Sequence, residues 1–517
     1  MRVSLGKNML YSGVSVLVPA AVSVIAVPIT VRGLGADGYG VVALVGVVAG
    51  YLSLLDLGLG QGIVRYLAIF VSRRQGATAA ECLRMVLGWF VVVGVVGGAT
   101  MWVLAPWLAG SLLKVPSGLV SATTGAFRIG ALGFTLGTVG SVLSFIPPAF
   151  LRYDITSVLN ATLSSVSLIG PAVLVSLGHG LLSVIWFHVV TNAIACVAWG
   201  TVGIRLLLTL PREGPAFRQY RRDFVGFSST VAANRIWTSI QEQTSKAVVG
   251  VAGGTAQAGY FQVPNVITNR INGLLNSMGM VLLPASSQLV AKGEHGLLLA
   301  LYERSSRLFY LLNASMTGAV VVFASPLLTH WVGPEYGQIG GLAFALLAIA
   351  SGLNAASMTA SRVNAAMGRP KINLAFSLAN SFLNLATVYF FTVRYGIAGT
   401  AASGLLAAGV VPFFLHYSHR RVLATSTWNV FRTCYARTTV TVGLVSAVAW
   451  MVLRPLASDL PITLGLVAVT ATAGLLASAA SGSFTSADWT TLRSALRSGR
   501  AETPDTVAES DGHDVDE

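Results

Sequence analysis

The chain has 517 residues, of which 54% are hydrophobic and 10% charged, with a mean hydropathy of +0.72. That composition excludes an ordinary soluble domain and suits a chain that crosses a membrane many times. The net charge of +14 is spread over many short segments rather than gathered on one soluble face, so no nucleic-acid partner is expected.

Taken in chain order, fourteen apolar stretches are long enough to span at roughly 20 residues each: 9–31, 41–63, 85–105, 124–148, 156–177, 181–204, 224–250, 258–284, 308–328, 340–360, 372–393, 397–417, 438–456 and 461–482. Lys and Arg near span ends favour the cytoplasmic side. Arg65, Arg73, Arg74 and Arg84, then Arg212, Arg218, Arg221 and Arg222, fall at such ends if the N-terminus is inside, and Arg32, Lys114, Arg394 and Arg454 then fall in outer loops. Both termini are predicted to be cytoplasmic. The first span, preceded by Arg2 and Lys7, reads as an uncleaved helix rather than a signal peptide. Residues 501–517 hold seven acids and no Lys or Arg, a disordered tail by composition. Cys82, Cys196 and Cys434 show no metal or redox spacing, and no disulfide is expected.

The chain also repeats. Tyr39 matches Tyr260, Pro106 matches Pro326, Arg152 matches Arg369 and Gly178 matches Gly396, an offset of 217 to 221 residues. The expected fold is an all-α integral membrane protein with two six-helix lobes in parallel repeat around a central cavity. The predicted divisions are a first lobe 1–208, a basic linker 209–222, a second lobe 223–420, two additional helices within 421–483 and a tail 484–517.

Enzymatic chemistry finds little support. No outer loop exceeds about twenty residues, and the chain holds no Gly-x-Ser-x-Gly or phosphate-loop motif and no Asp-x-Asp ahead of its acidic tail. No His-x-x-x-His pair is present. His416 and His419, beside Arg420 and Arg421, are expected in a solvated or lipid-facing position. No cofactor or metal is expected.

Polar residues gather on two spans instead. In the seventh, Asn234, Thr238, Gln241 and Ser245 form one helical stripe, and Arg235, Glu242 and Lys246 form an adjoining one. In the eighth, Asn265, Asn269, Asn272 and Asn276 repeat that spacing, with Arg270 about a third of a turn away. Interhelical hydrogen bonds account for isolated amides at roughly 0.6 to 2 kcal/mol each. Two full seams with ionisable groups point further, to a water-filled cavity. Glu242 and Lys246, four residues apart, are open to two readings, mutual neutralisation or ion coupling by Glu242. Asp56, late in the second span, is read as a helix break in preference to an ion-coupling group. Arg128 is read as a residue that snorkels outward.

Together the motifs resemble the polysaccharide biosynthesis or O-antigen type flippases of the multidrug/oligosaccharidyl-lipid/polysaccharide exporter superfamily. The resemblance rests on Gly33-Leu-Gly-Ala-Asp-Gly-Tyr-Gly40, Leu54-Leu-Asp-Leu-Gly-Leu-Gly60 with Arg65-Tyr66, Gly259-Tyr-Phe, Leu283-Pro-Ala-Ser-Ser-Gln-Leu289, Ala366-Met-Gly-Arg-Pro-Lys371 and Tyr395-Gly-Ile-Ala-Gly-Thr-Ala401. It implies translocation of a polyprenyl-diphosphate-linked oligosaccharide by alternating access in the bacterial plasma membrane. Arg235, Lys246 and Arg270 would offset the diphosphate, and Asn234, Gln241, Asn265, Asn269, Asn272 and Asn276 would bond sugar hydroxyls. Membrane lipids and a polysaccharide polymerase or export machinery are the implied partners. Such proteins often carry Asp-Lys where this chain has Ser245-Lys246, so an acid-based role at Ser245 does not carry over. The alternatives are a cation-coupled multidrug exporter, a peptidoglycan lipid-precursor flippase and, from another class, a membrane glycosyltransferase or polymerase.

Overall fold

The computed structural model describes residues 5–56, 59–279 and 282–483, with side chains described except at 5–14, 16, 61, 230–236, 238, 277, 278 and 284. The described residues are helical almost throughout, without strands. Among the described residues, ten helices are long and apolar enough to cross a membrane. Leu5–Leu52 and Pro370–Ala408 each fold back at a glycine, Gly35 and Gly396, and so hold the ends of two crossings. Arg221–Gly279, too polar for that count, doubles back at Gly254. The described residues therefore make fourteen crossings, one for each predicted span, and the chain is a multi-pass membrane protein.

Glycine is needed at these hairpins. Gly35 has φ 70° and ψ 173°, and Gly254 has φ 86° and ψ −177°, a region open essentially to glycine alone. Gly178 and Gly396, the pair read from the sequence repeat, both have positive φ as well. The second crossing passes through a 3-10 turn at Ser53–Asp56 and is α-helical again over Leu59–Ser72.

The lobes meet at the end carrying Gly35 and Gly254. A shared apolar core there includes Val31, Leu44 and Phe127 of the first lobe and Tyr260, Trp331 and Phe344 of the second. The Thr255 hydroxyl donates to the Asp37 carboxylate across the interface. Two first-lobe cations reach the carbonyl ends of second-lobe helices, where the helix dipole favours positive charge. Lys114 Nζ donates to the Ala252 carbonyl at 2.9 Å, and Arg32 Nε donates to the Val332 carbonyl at 2.8 Å.

Farther from this end the second and seventh crossings stay together. Tyr51 donates to Thr244 at 2.7 Å, and Tyr66 packs edge-on against Phe224. The linker is strapped to the first lobe: Gly76 and Ala77 N–H donate to the Pro211 and Glu213 carbonyls, and Phe217 N–H donates to the Glu81 carboxylate at 2.8 Å. The first two bonds cap otherwise unpaired N–H groups at the start of Gly76–Trp107. Phe217 and Phe224 are buried with Phe70 in the first-lobe core, so the start of the seventh crossing packs with the first lobe. The last two crossings lie against the ninth, where Gly318 admits Ser446 and Gly474 admits Ser315.

Candidate functional site

Two polar cavities occupy the second lobe. One, of about 250 Å³, is lined by Gln241, Glu242, Asn265, Asn269, Asn354 and Asn384 among others. The second, of about 500 Å³, lies toward the end opposite the glycine hairpins and is lined by Asn272, Asn276, Asn354, Ser361, Arg362 and Asn373 among others. Asn354 borders both, so the asparagine seam of the eighth crossing runs along two adjoining spaces. Asn269 Nδ2 donates to Asn265 Oδ1 at 2.6 Å, and Ser351 Oγ donates to Asn272 Oδ1 at 2.6 Å. Each bond fixes one amide and leaves it further hydrogen-bonding capacity.

The seventh-crossing stripe divides between two duties. Gln241 Nε2 donates to Asn380 Oδ1 at 3.0 Å and Gln241 Oε1 accepts from the Ser381 hydroxyl, while Ser245 Oγ donates to Asn384 Oδ1 at 3.0 Å. Asn380 and Asn384 are buried and bond onward, to the Ala407 carbonyl and to Ser403. These groups join the seventh, eleventh and twelfth crossings inside one lobe. Glu242 lines the cavity and accepts from Lys246 Nζ at 2.8 Å, so mutual neutralisation is the arrangement found.

The other predicted residues are distributed as follows. Arg270 is half-buried and is not among the residues lining either cavity. The side chains of Asn234, Arg235 and Thr238 lie outside the described residues. Arg128 is exposed, with its guanidinium 5.7 Å from the Trp102 ring centre, as a snorkelling residue would be. His416 is exposed, but the expectation of a solvated His419 is corrected: it is buried and bonded to Tyr302 through Nε2 at 2.7 Å.

Arg362, Asn354 and Asn373 were not anticipated. Arg362 lies in a short helix, Met358–Ala366, that continues the tenth crossing. A third cavity, also unanticipated, lies in the first lobe. It measures about 570 Å³ and is bounded by the second, third, fourth and sixth crossings, with Gly46, Asp56, Phe90, Thr138, His188 and Asn192 on its wall. No metal-holding cluster of His, Cys, Asp or Glu occurs among the described residues.

Two related lobes with polar spaces between their helices and one shared closed end define a membrane transporter fold. Known structures have this architecture. The lipid II flippase MurJ, in an inward closed conformation, superposes with a TM-score of 0.69 at 12% identity, over 94% of this chain and 100% of that one. A multidrug resistance MATE family transporter of the MOP superfamily, in an inward-facing conformation, gives 0.67 at 16% identity, over 82% and 99%. In sequence, the chain is 19% identical over 424 residues to a putative O-antigen transporter of Shigella flexneri, spanning 81% of this chain and 98% of that protein. Residues 29–339 match the polysaccharide biosynthesis protein family, and the chain belongs to that family.

Proposed function

We propose that the protein is a flippase that carries a polyprenyl-diphosphate-linked oligosaccharide from the cytoplasmic to the outer leaflet of the bacterial plasma membrane, for cell-surface polysaccharide assembly. The observation that carries this reading is the asparagine-lined pair of second-lobe cavities with Arg362 at the end away from the shared core. Membership of the polysaccharide biosynthesis family and similarity to an O-antigen transporter support it. With basic residues at the inner span ends, both termini are cytoplasmic and the closed end is the outer one.

In this reading the diphosphate enters from the inner leaflet. Arg362 meets it with the planar fork that suits a bidentate phosphate contact. Arg235 adds a second cation. Lys246 is already compensated by Glu242, so its part is smaller than the family resemblance implies. The eighth-crossing amides add N–H donors to the phosphate oxygens, and the polyprenyl tail stays in lipid, where each buried CH₂ is worth about 0.8 kcal/mol. Opening to the other side breaks the Asp37–Thr255, Lys114–Ala252 and Arg32–Val332 contacts between lobes. The amide network of Gln241, Asn380 and Asn384 lies within the second lobe and moves with it.

A drug exporter coupled to cations would favour acidic cavity walls, whereas here Glu242 is paired and Arg362 lines the larger second-lobe space. A peptidoglycan-precursor flippase shares the diphosphate chemistry and is separated by substrate. The test is export of surface polysaccharide by cells carrying Arg362→Ala or Arg235→Ala at normal membrane levels. Loss of one charge-assisted contact, about 1.5 to 3 kcal/mol, should cut export roughly tenfold or more. Normal export by both variants would sink the assignment.

A further inference from the structure

The first-lobe cavity has a chemistry different from that of the second lobe. Its hydroxyls spend their protons on their own helices: Ser53 donates to the Gly50 carbonyl, Thr138 to the Phe134 carbonyl and Ser141 to the Thr138 carbonyl, each at 2.7 Å. What these groups turn to a ligand is therefore lone pairs. Asn192 Nδ2 donates to the Gly133 carbonyl at 3.0 Å, which fixes the amide and leaves its Oδ1 and one N–H for further bonds. His188, one turn earlier, meets Ser167 through Nδ1 at 3.3 Å, leaving the second ring nitrogen for the cavity. Asp56 also borders the space, and no Lys or Arg is among the described residues lining it.

The polar groups on this largely apolar wall offer mainly lone pairs, which disfavours phosphate, itself an acceptor. The same lone pairs favour a ligand rich in O–H and N–H donors. The acceptors are distributed over three crossings, the second, fourth and sixth, so they suit donors spread around a ring better than one cationic point. Phe90 and Phe134 add flat apolar faces. Gly46 contributes an open stretch of wall, since a Cβ there would meet no atom within 4 Å. Residues 42 to 56 of the second crossing border the space, a wall about 20 Å long at 1.5 Å per residue.

We propose that this cavity is the seat of the uncharged glycan, so that the carrier head is divided between lobes, sugar in the first and diphosphate against the second. The inference rests on the flippase reading above. Because the two portions contact different lobes, each would be handed across the interface as the lobes rock.

The experiment measures binding of two lipids to the purified full-length protein in nanodiscs: undecaprenyl diphosphate, and the same lipid carrying one N-acetylhexosamine. The wild type should prefer the sugar-bearing lipid by about tenfold or more, the effect of a few added hydrogen bonds. Gly46→Leu brings bulk into the cavity from a position where a Cβ meets no atom within 4 Å; it should erase the preference while leaving affinity for the sugar-free lipid unchanged. The double variant Thr138→Val, Ser141→Ala removes acceptors without adding bulk. It should reduce the preference too, and decides the question if Gly46→Leu folds poorly. A preference retained in both variants overturns the proposal, as does an equal loss for the two lipids. A wild type without sugar preference that binds tetraphenylphosphonium in a Gly46→Leu-sensitive manner assigns the cavity to hydrophobic cations instead. Binding of neither lipid by the wild type overturns the flippase reading along with the inference.

Discussion

Gly40 and Gly259 hold the same place in the two repeats, and each presses its bare Cα against the other repeat's hairpin. A Cβ at Gly40 would collide with the Thr255 carbonyl, and one at Gly259 with the Ala36 carbonyl. The two contacts are reciprocal, as in an interface between symmetry-related surfaces. The closed end of the molecule is thus a pseudo-twofold joint whose tightness depends on two missing methyl groups.

Gly40→Ala and Gly259→Ala should each force the lobes apart at this end. The check is the rate at which a cavity cysteine, Asn269→Cys in a background without Cys82, Cys196 and Cys434, reacts with an impermeant thiol reagent added outside. Both glycine variants should speed labelling relative to the Asn269→Cys parent. An unchanged rate in folded protein would mean that the joint does not control access.

The hairpin glycines separate conformational strain from steric conflict. Gly35 has open space around its Cβ position, whereas a Cβ at Gly254 would lie 2.7 Å from the Lys114 carbonyl oxygen. Gly35→Ala should cost about 1 to 3 kcal/mol through backbone strain alone. Gly254→Ala should lower the melting temperature further, which thermal unfolding in detergent will measure.

Lys246 and Glu242 form an ion pair in which the Glu242 side chain is 55% exposed. Solvent screening should hold their coupling energy below about 1 kcal/mol in a double-mutant cycle. Stability measured for Glu242→Gln, Lys246→Met and the double variant tests this. A larger value would indicate a drier pair with a greater part in holding the lobe.

The linker should resist proteolysis while Phe217 is seated. Phe217 is 4% exposed and packs edge-on against Phe70 and Phe224. Phe217→Ala should cost roughly 3 to 5 kcal/mol and speed tryptic cleavage at Arg212 and Arg218. Equal cleavage in wild type and variant would mean that the strap does not depend on this side chain.

The crossings were legible in the sequence because membrane thickness sets a minimum apolar length, and every predicted span falls on a crossing. The repeat was legible through Gly178 and Gly396, but Tyr39 and Tyr260 mislead by two positions. Gly35 with Gly254 and Gly40 with Gly259 set the structural offset at 219, so Tyr260 lies beyond the equivalent of Tyr39. Helical periodicity found the face holding Gln241 and Ser245, yet a period gives a direction and not a neighbour. Asn380 and Asn384, which absorb that face, therefore stayed hidden. Arg362 stayed hidden because a single basic residue near a span end carries only a topology signal. The first-lobe cavity was illegible because its shape comes from side chains that glycines on separate helices lack. His419 was misread because its partner, Tyr302, is 117 residues away.

The most direct test of the flippase reading is the orientation of lipid-linked oligosaccharide in inside-out vesicles from a deletion strain with and without this gene, probed by an impermeant sugar-modifying reagent. The reading predicts that the protein removes the reagent-accessible head from the cytoplasmic face, and that Arg362→Ala slows the removal roughly tenfold or more. An unchanged distribution, with the lipid-linked substrate present and the protein in the membrane, would contradict it.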